Sequence, residues 1–324
     1  MKYWVTYPLI SHPANAELTT GNAIVRFAQA AEAAGFDGIG FTDHPAPTER
    51  WLQSGGHDAL DPFAALAFVA AVTKRLLLIP NICVLPYRNP FIVAKSVATI
   101  DALSGGRFVL AVGAGYLRAE FKALGVDPDQ RNEVFDEALA VLRGIWSTDD
   151  FTFEGKGFTA LGQTANPKPA ARIPIWIGGN SGRARQRVAD VADGWNPFPA
   201  PAMLARTSRT PVLETVDDLA RMLDDLWRRF EVAGRDPSGI NIAFSTPAGG
   251  DAGSDDFEGD AHLAATDELQ SLGVTWMNVS VPGDSLAHAI ESLERFGDRV
   301  IATQTSAQRG HGTMPIRATG SGAP

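Results

Sequence analysis

Apolar and polar positions along this chain follow two rhythms that take turns. Short apolar runs bounded by Gly, Pro or Asp read as buried strands at residues 2–7, 37–42, 76–79, 107–113, 175–177, 193–198, 240–245 and 274–280. Each is followed by a stretch that reads as a helix, and four of these show a clear apolar face. Ile24, Phe27, Ala28 and Ala31 form the face of the first helix, and Phe135, Ala138, Leu139, Leu142 and Trp146 that of the fourth. Leu219, Met222, Leu223, Leu226, Trp227 and Phe230 form that of the sixth, and Leu286, Ala289, Ile290 and Leu293 that of the last. The spacing predicts helices after a Thr19 or Thr20 cap, from Asp58 or Asp61 to about Thr73, and over roughly 90–103, 132–146, 182–191, 215–231, 261–272 and 284–296.

Strict alternation of strand and helix predicts a parallel sheet covered by helices. Eight such units within residues 1–300 predict one domain closed into a (β/α)₈ TIM barrel, with an open doubly wound sheet as the alternative. Residues 148–172 break the alternation. Phe151 to Ala160 reads as a hairpin turning at Glu154-Gly155, an insertion before the fifth strand. Residues 246–260 follow the seventh strand at the barrel mouth, as a lid or a solvated loop. The small, polar residues 301–324 predict a flexible tail.

Composition narrows the partners. With 45% hydrophobic residues the chain can bury a large core. A net charge of −9 gives long-range attraction the wrong sign for nucleic acid or an anionic membrane. Cys83 is the single cysteine, so no internal disulfide forms. No secretory signal pattern opens the chain, and no apolar run reaches the ~18 residues of a spanning helix. A cytoplasmic enzyme with a small-molecule substrate fits these features.

In a parallel barrel the C-terminal strand ends carry the chemistry. Here they are Asp43-His44, Asn81-Ile82-Cys83, Gly113-Ala114-Gly115-Tyr116, Ile177 with Gly178-Gly179-Asn180-Ser181, and Trp195-Asn196-Pro197. Glycine at such ends admits a ligand close to the backbone. Gly178–Gly182 precede a helix whose first N–H groups can take a phosphate, and Arg183, Arg185 and Arg187 add charge beside it. A glycine-requiring turn before an arginine-rich solvated helix is the alternative. The spacing matches neither a Walker A loop nor Gly-x-Gly-x-x-Gly. The histidines at 12, 44, 57, 262, 288 and 311 are scattered without a metal-binding spacing. What remains is a phosphate-bearing organic cofactor beside an Asp–His pair, with His44 handling a proton or a charge. Trp51, Trp195 and Phe198 are candidates to shape the substrate pocket.

Several motifs carry a family resemblance. Gly35-Phe-Asp-Gly-Ile-Gly-Phe-Thr-Asp-His, Leu85-Pro-Tyr-Arg-Asn-Pro, Leu103-Ser-Gly-Gly-Arg-Phe-Val-Leu-Ala-Val-Gly-Ala-Gly, Pro174-Ile-Trp-Ile-Gly-Gly-Asn-Ser and Ala192-Asp-Gly-Trp stand in order between residues 2 and 300. Together they resemble the bacterial luciferase-like flavin monooxygenase superfamily, closest to its coenzyme F420-dependent oxidoreductase branch. The resemblance implies a (β/α)₈ barrel with an insertion, a homodimer, and a cofactor ring across the mouth. It implies a non-prolyl cis peptide at Ile82–Cys83, set against the ring. It maps the phosphate loop onto Gly178–Ser181, a ring contact onto Asp43, and a base or stabiliser onto His44. Relatives acting on sugar phosphates carry a glutamate after the Gly-x-Gly as proton donor; here Tyr116 stands there, as donor or pocket wall. Lysine is absent after residue 168, which argues against a sugar phosphate. The leading expectation is hydride transfer between coenzyme F420 and an organic substrate. A monooxygenase using reduced FMN and oxygen, or a non-catalytic flavin-binding protein, are the alternatives.

Overall fold

The computed structural model describes residues 1–304. The strands run in chain order as β1 (Lys2–Thr6), β2 (Gly38–Phe41), β3 (Leu77–Pro80), β4 (Cys83–Val84), β5 (Leu110–Gly113), the pair β6 (Phe151–Glu154) and β7 (Thr159–Gln163), then β8 (Ile175–Gly178), β9 (Gly194–Asn196), β10 (Asn241–Phe244) and β11 (Trp276–Val279). The helices are α1 (Gly21–Ala33), α2 (Glu49–Gln53), α3 (Pro62–Val72), α4 (Pro90–Ser104), α5 (Arg118–Ala123), α6 (Arg131–Ser147), α7 (Gly182–Val191), α8 (Ala202–Ser208), α9 (Val216–Ala233), α10 (Gly259–Ser271) and α11 (Leu286–Phe296).

Parallel pairing follows the order β3-β2-β1-β11-β10-β9-β8-β5-β4. The expected third strand is split: β3 pairs with β2, and β4 pairs with β5. A parallel bridge between Leu78 and Phe108 closes the ring, giving the expected barrel. Its interior is packed by Trp4, Trp176 and Trp276, with ring centroids 5.4–6.0 Å apart. Gly194 is required there, because a Cβ would lie 2.4 Å from Trp176 Cδ1.

Local chemistry sets the helix ends. Asp61 accepts from the Phe63 and Ala64 amides at the start of α3, with Pro62 in the first turn. Thr215 and Asp218 form a capping box on α9, which ends at Gly234 with φ of 63°.

The hairpin at 151–163 is antiparallel, as expected, and lies against α6. The loop at 246–260 is no mouth lid. Ala252 and Phe257 are buried, and Arg295 Nη1 donates to the Ala252 and Gly253 carbonyls, which packs the loop against α11. The expected tail begins inside the fold: Gln304 is buried and its amide donates to the Met1 carbonyl. Residues 305–324 of that tail lie outside the described residues. No helix among the described residues is long and apolar enough to cross a membrane.

Candidate active site

A cavity of about 600 Å³ opens at the C-terminal ends of the barrel strands. Of the residues singled out in the sequence, Asp43, His44, Ile82, Gly113, Gly115, Tyr116, Gly178, Gly179, Asn180, Ser181, Arg183 and Phe198 line it. The volume and the mixed polar and apolar lining suit an organic cofactor.

The floor is Ile82. A Cβ on Gly113 would sit 2.2 Å from Ile82 Cδ1, and one on Gly178 would sit 2.7 Å from the same atom. The two glycines thus make room for the Ile82 side chain beneath the cavity. The non-prolyl cis peptide lies at Asn81–Ile82, one bond earlier than expected, a correction that makes Ile82 rather than Cys83 the residue after it. Cys83 is fully buried beside Asp43 and off the cavity wall.

Asp43 is on the wall but its carboxylate is engaged. Arg88 donates to Oδ2 at 2.5 Å and to Oδ1 at 2.8 Å, and the Val84 amide donates to Oδ2 at 2.8 Å. Burial pushes the carboxyl up, and the guanidinium pulls it back. Asp43 therefore fixes the β4 segment that carries the floor.

His44 sits among aromatic rings, 4.5 Å from Trp51, 5.1 Å from His57 and 6.3 Å from Tyr116. Burial, with the nearby Glu120 charge, raises the Tyr116 phenol, so it stays protonated at neutral pH and can donate. Burial lowers His57, which stays neutral there. Trp51 lines a second cavity of about 280 Å³ together with Tyr116, Arg118 and Arg209.

Opposite, Ser181 caps α7 by accepting from the Ala184 amide. The N–H groups of Gly182 and Arg183 in its first turn have no intrahelical partner, which suits a phosphate. Gly179, at φ of 102°, has open space where a Cβ would be. Asn180, fully buried, braces this loop: its side chain donates to the Phe198 and Pro211 carbonyls and accepts from the Phe198 amide. Its own amide donates to Thr210 Oγ1. Three expected contacts lie behind the wall instead. Ile177 is buried in the core. Arg185 turns to Asp225 at 2.6 Å and to the Asn180 carbonyl. Trp195 is buried, its indole N–H donating to the Gly179 carbonyl, so it supports the loop rather than meeting substrate.

The sequence reading named Asn81 and Asn196 as strand ends but missed that they join Thr6 and Asn278 in a polar belt between the two walls. Asn196 donates to Asn81, Asn81 to Thr6, and Thr6 to Asn278, each within 3.1 Å. All three asparagines line the cavity. It also missed Arg118, Arg131 and Arg209 on the wall, and Glu120 behind His44. The strand-end positions of the asparagines were the available signal. Glu120 gave none beyond its place after the Gly-x-Gly turn. Among the described residues no group of three or more His, Cys, Asp and Glu could hold a metal ion.

A parallel barrel with a glycine-bounded cavity, a helix start at one side of its mouth and a histidine at the other describes the geometry, and the cavity suits an organic ligand. The chain belongs to the luciferase-like monooxygenase family, whose model matches residues 6–296. This is an oxidoreductase family with relatives named for either of two cofactors. The chain is 36% identical over 174 residues to the FMNH(2)-dependent dimethylsulfone monooxygenase of Pseudomonas fluorescens, covering 52% of this chain and 45% of that protein. It is 30% identical over 221 residues to the F420-dependent glucose-6-phosphate dehydrogenase of Nakamurella multipartita, covering 66% and 64%. The matched stretches thus span about half to two thirds of these relatives. The fold matches monooxygenase RslO1 from Streptomyces bottropensis with a TM-score of 0.76, at 18% identity over 93% of this chain and 99% of that one. An F420-dependent secondary alcohol dehydrogenase follows at 0.71, also 18% identical, covering 94% and 99%.

Proposed function

We propose that this protein is a coenzyme F420-dependent oxidoreductase acting on a small organic substrate. The observation that carries the reading is the charge of the wall. Arg118, Arg131, Arg183, Arg187 and Arg209 line the cavity, against one carboxylate, Asp43, already held by Arg88. Asp129, Glu133 and Asp136, which pair with Arg118, Arg183 and Arg187, are not on the wall. A cofactor with a phosphate and a longer acidic tail gains more from such a wall than one with a phosphate alone.

When bound, the deazaflavin supplies a two-electron carrier. The residues fit it by division of labour. Ile82 would support the ring, the asparagine belt would offer amide groups to it, and the α7 start and the arginines would take its anionic end. His44 and Tyr116 face the remaining space, where one can accept and the other donate a proton.

A second reading, an FMN-dependent monooxygenase, is supported by the 36% identity to the dimethylsulfone enzyme. Titration of the apoprotein with each cofactor, followed by fluorescence, tests the choice. The expected result is micromolar binding of F420 and at least about tenfold weaker binding of FMN, a difference of ~1.4 kcal/mol. Micromolar FMN binding with no response to F420 would overturn it.

A further inference from the structure

Glu120 is a carboxylate buried completely behind the His44 wall. A charge survives in such a place only when donors surround it. Three do. His44 Nδ1 lies 3.3 Å from Oε2, the Tyr87 hydroxyl donates to Oε2 at 2.9 Å, and the Ala46 amide donates to Oε1 at 2.9 Å. The donors come from two segments, the loop after β2 and the turn after β4, and they meet an acid carried by α5. The arrangement is therefore built by the tertiary fold.

An ionised carboxylate only accepts hydrogen bonds. The ring atom facing Glu120 must then carry the proton, and in neutral His44 that leaves the lone pair on Nε2. Nε2 makes no hydrogen bond to any described residue, and His44 forms part of the main cavity wall. The other polar groups around the ring do not compete for Nδ1. His57 and Tyr116 meet it edge-on at 5.1 and 6.3 Å, Asp43 is taken by Arg88 and Val84, and Arg118 is paired with Asp129. Burial opposes ionisation of Glu120, but the bonds from His44, Ala46 and Tyr87 outweigh it and hold the carboxyl below its usual range.

We propose that Glu120 is a positioning residue that fixes His44 as the Nδ1–H tautomer, so that Nε2 faces the substrate as the proton acceptor. The tautomer assignment stands on geometry alone; its use in turnover rests on the oxidoreductase reading of the same site. Tyr87 steadies the carboxylate from behind, so the hydroxyl is part of the same device.

The test reads the tautomer directly. Apoprotein labelled with ¹⁵N-histidine is examined by multiple-bond ¹H–¹⁵N correlation at about pH 8, above the ordinary imidazole range. His44→Gln assigns the signal by its loss. The wild type is expected to give a protonated Nδ1 and a bare Nε2. In Glu120→Gln the side-chain amide can donate toward Nδ1, so the pattern is expected to invert to Nε2–H. Tyr87→Phe, which leaves the carboxylate in place, is expected to keep the wild-type pattern. A wild-type Nε2–H signal, or an unchanged pattern in a folded Glu120→Gln, would overturn the proposal. The wild-type spectrum decides even if Glu120→Gln fails to fold. Because no cofactor is present, the outcome is independent of the titration above. Nδ1–H with no F420 binding removes the cofactor reading alone, and Nε2–H with F420 binding removes the positioning role alone.

Discussion

On the His44 wall each buried charge is met from inside the protein, Glu120 by His44, Tyr87 and the Ala46 amide, and Asp43 by Arg88 and the Val84 amide. On the α7 wall the cavity surface is held by arginines and unpaired helix N–H groups, and the acids sit behind. The first wall has few free donors and fixed side-chain orientations, which suits handling one proton. The second leaves positive charge facing the cavity, which suits holding an anion. On the proposed function, proton and anion work fall to opposite sides of the barrel mouth.

Substitutions on each wall should split accordingly. The largest effect is expected for His44→Ala. Turnover, measured on the first substrate that a screen with F420 returns, should fall about 10²–10⁴-fold, the span of a general acid–base group. Cofactor affinity should change less than about threefold. Equal losses in both would erase the division between the walls. Next comes Asn180→Ala. It removes the bonds to Phe198 and Pro211 that brace the Gly178–Ser181 loop. Affinity for F420 should drop about tenfold, the equivalent of one or two lost hydrogen bonds, measured by the same titration. A smaller effect concerns acidity. Burial lowers both His57 and His262, so the unfolded chain takes up protons that the folded one refuses. Stability should therefore fall as pH drops through about 6.5, the ordinary imidazole value, and recover above it. Half-buried His288, raised by the Gly253 carbonyl and Asp284, works the other way. Melting curves from pH 8 to 5 check this, and replacement of His262 by Asn should flatten the slope. A midpoint that rises toward pH 5 would reverse the sign.

Much of the fold is legible in the sequence. The eight units were readable because each strand and helix buries a face with a short-range period, and Gly, Pro and cap residues mark its ends. Gly178–Ser181 was readable because a helix start after a strand is a local pattern. Arg185 and Trp195 were misplaced because the pattern gives position on a helix or strand but not the partner across the fold. Arg185 turns to Asp225 of α9 and Trp195 to the Gly179 carbonyl. Glu120 escaped notice for the same reason, since the sequence separation between it and His44 is 76 residues. The short helices α2, α5 and α8 were unforeseen because one or two turns carry too little periodicity.

The asparagine belt has a mechanical meaning. Asn81, Thr6 and Asn278 lie along one side of the barrel and Asn196 on another, yet they form one hydrogen-bonded chain that crosses between them. The seat proposed for the cofactor is therefore also a tie-beam of the cylinder. Loosening the barrel on one side would be transmitted to the seat as a change in shape, and a ring pressed into the seat would brace the cylinder in return.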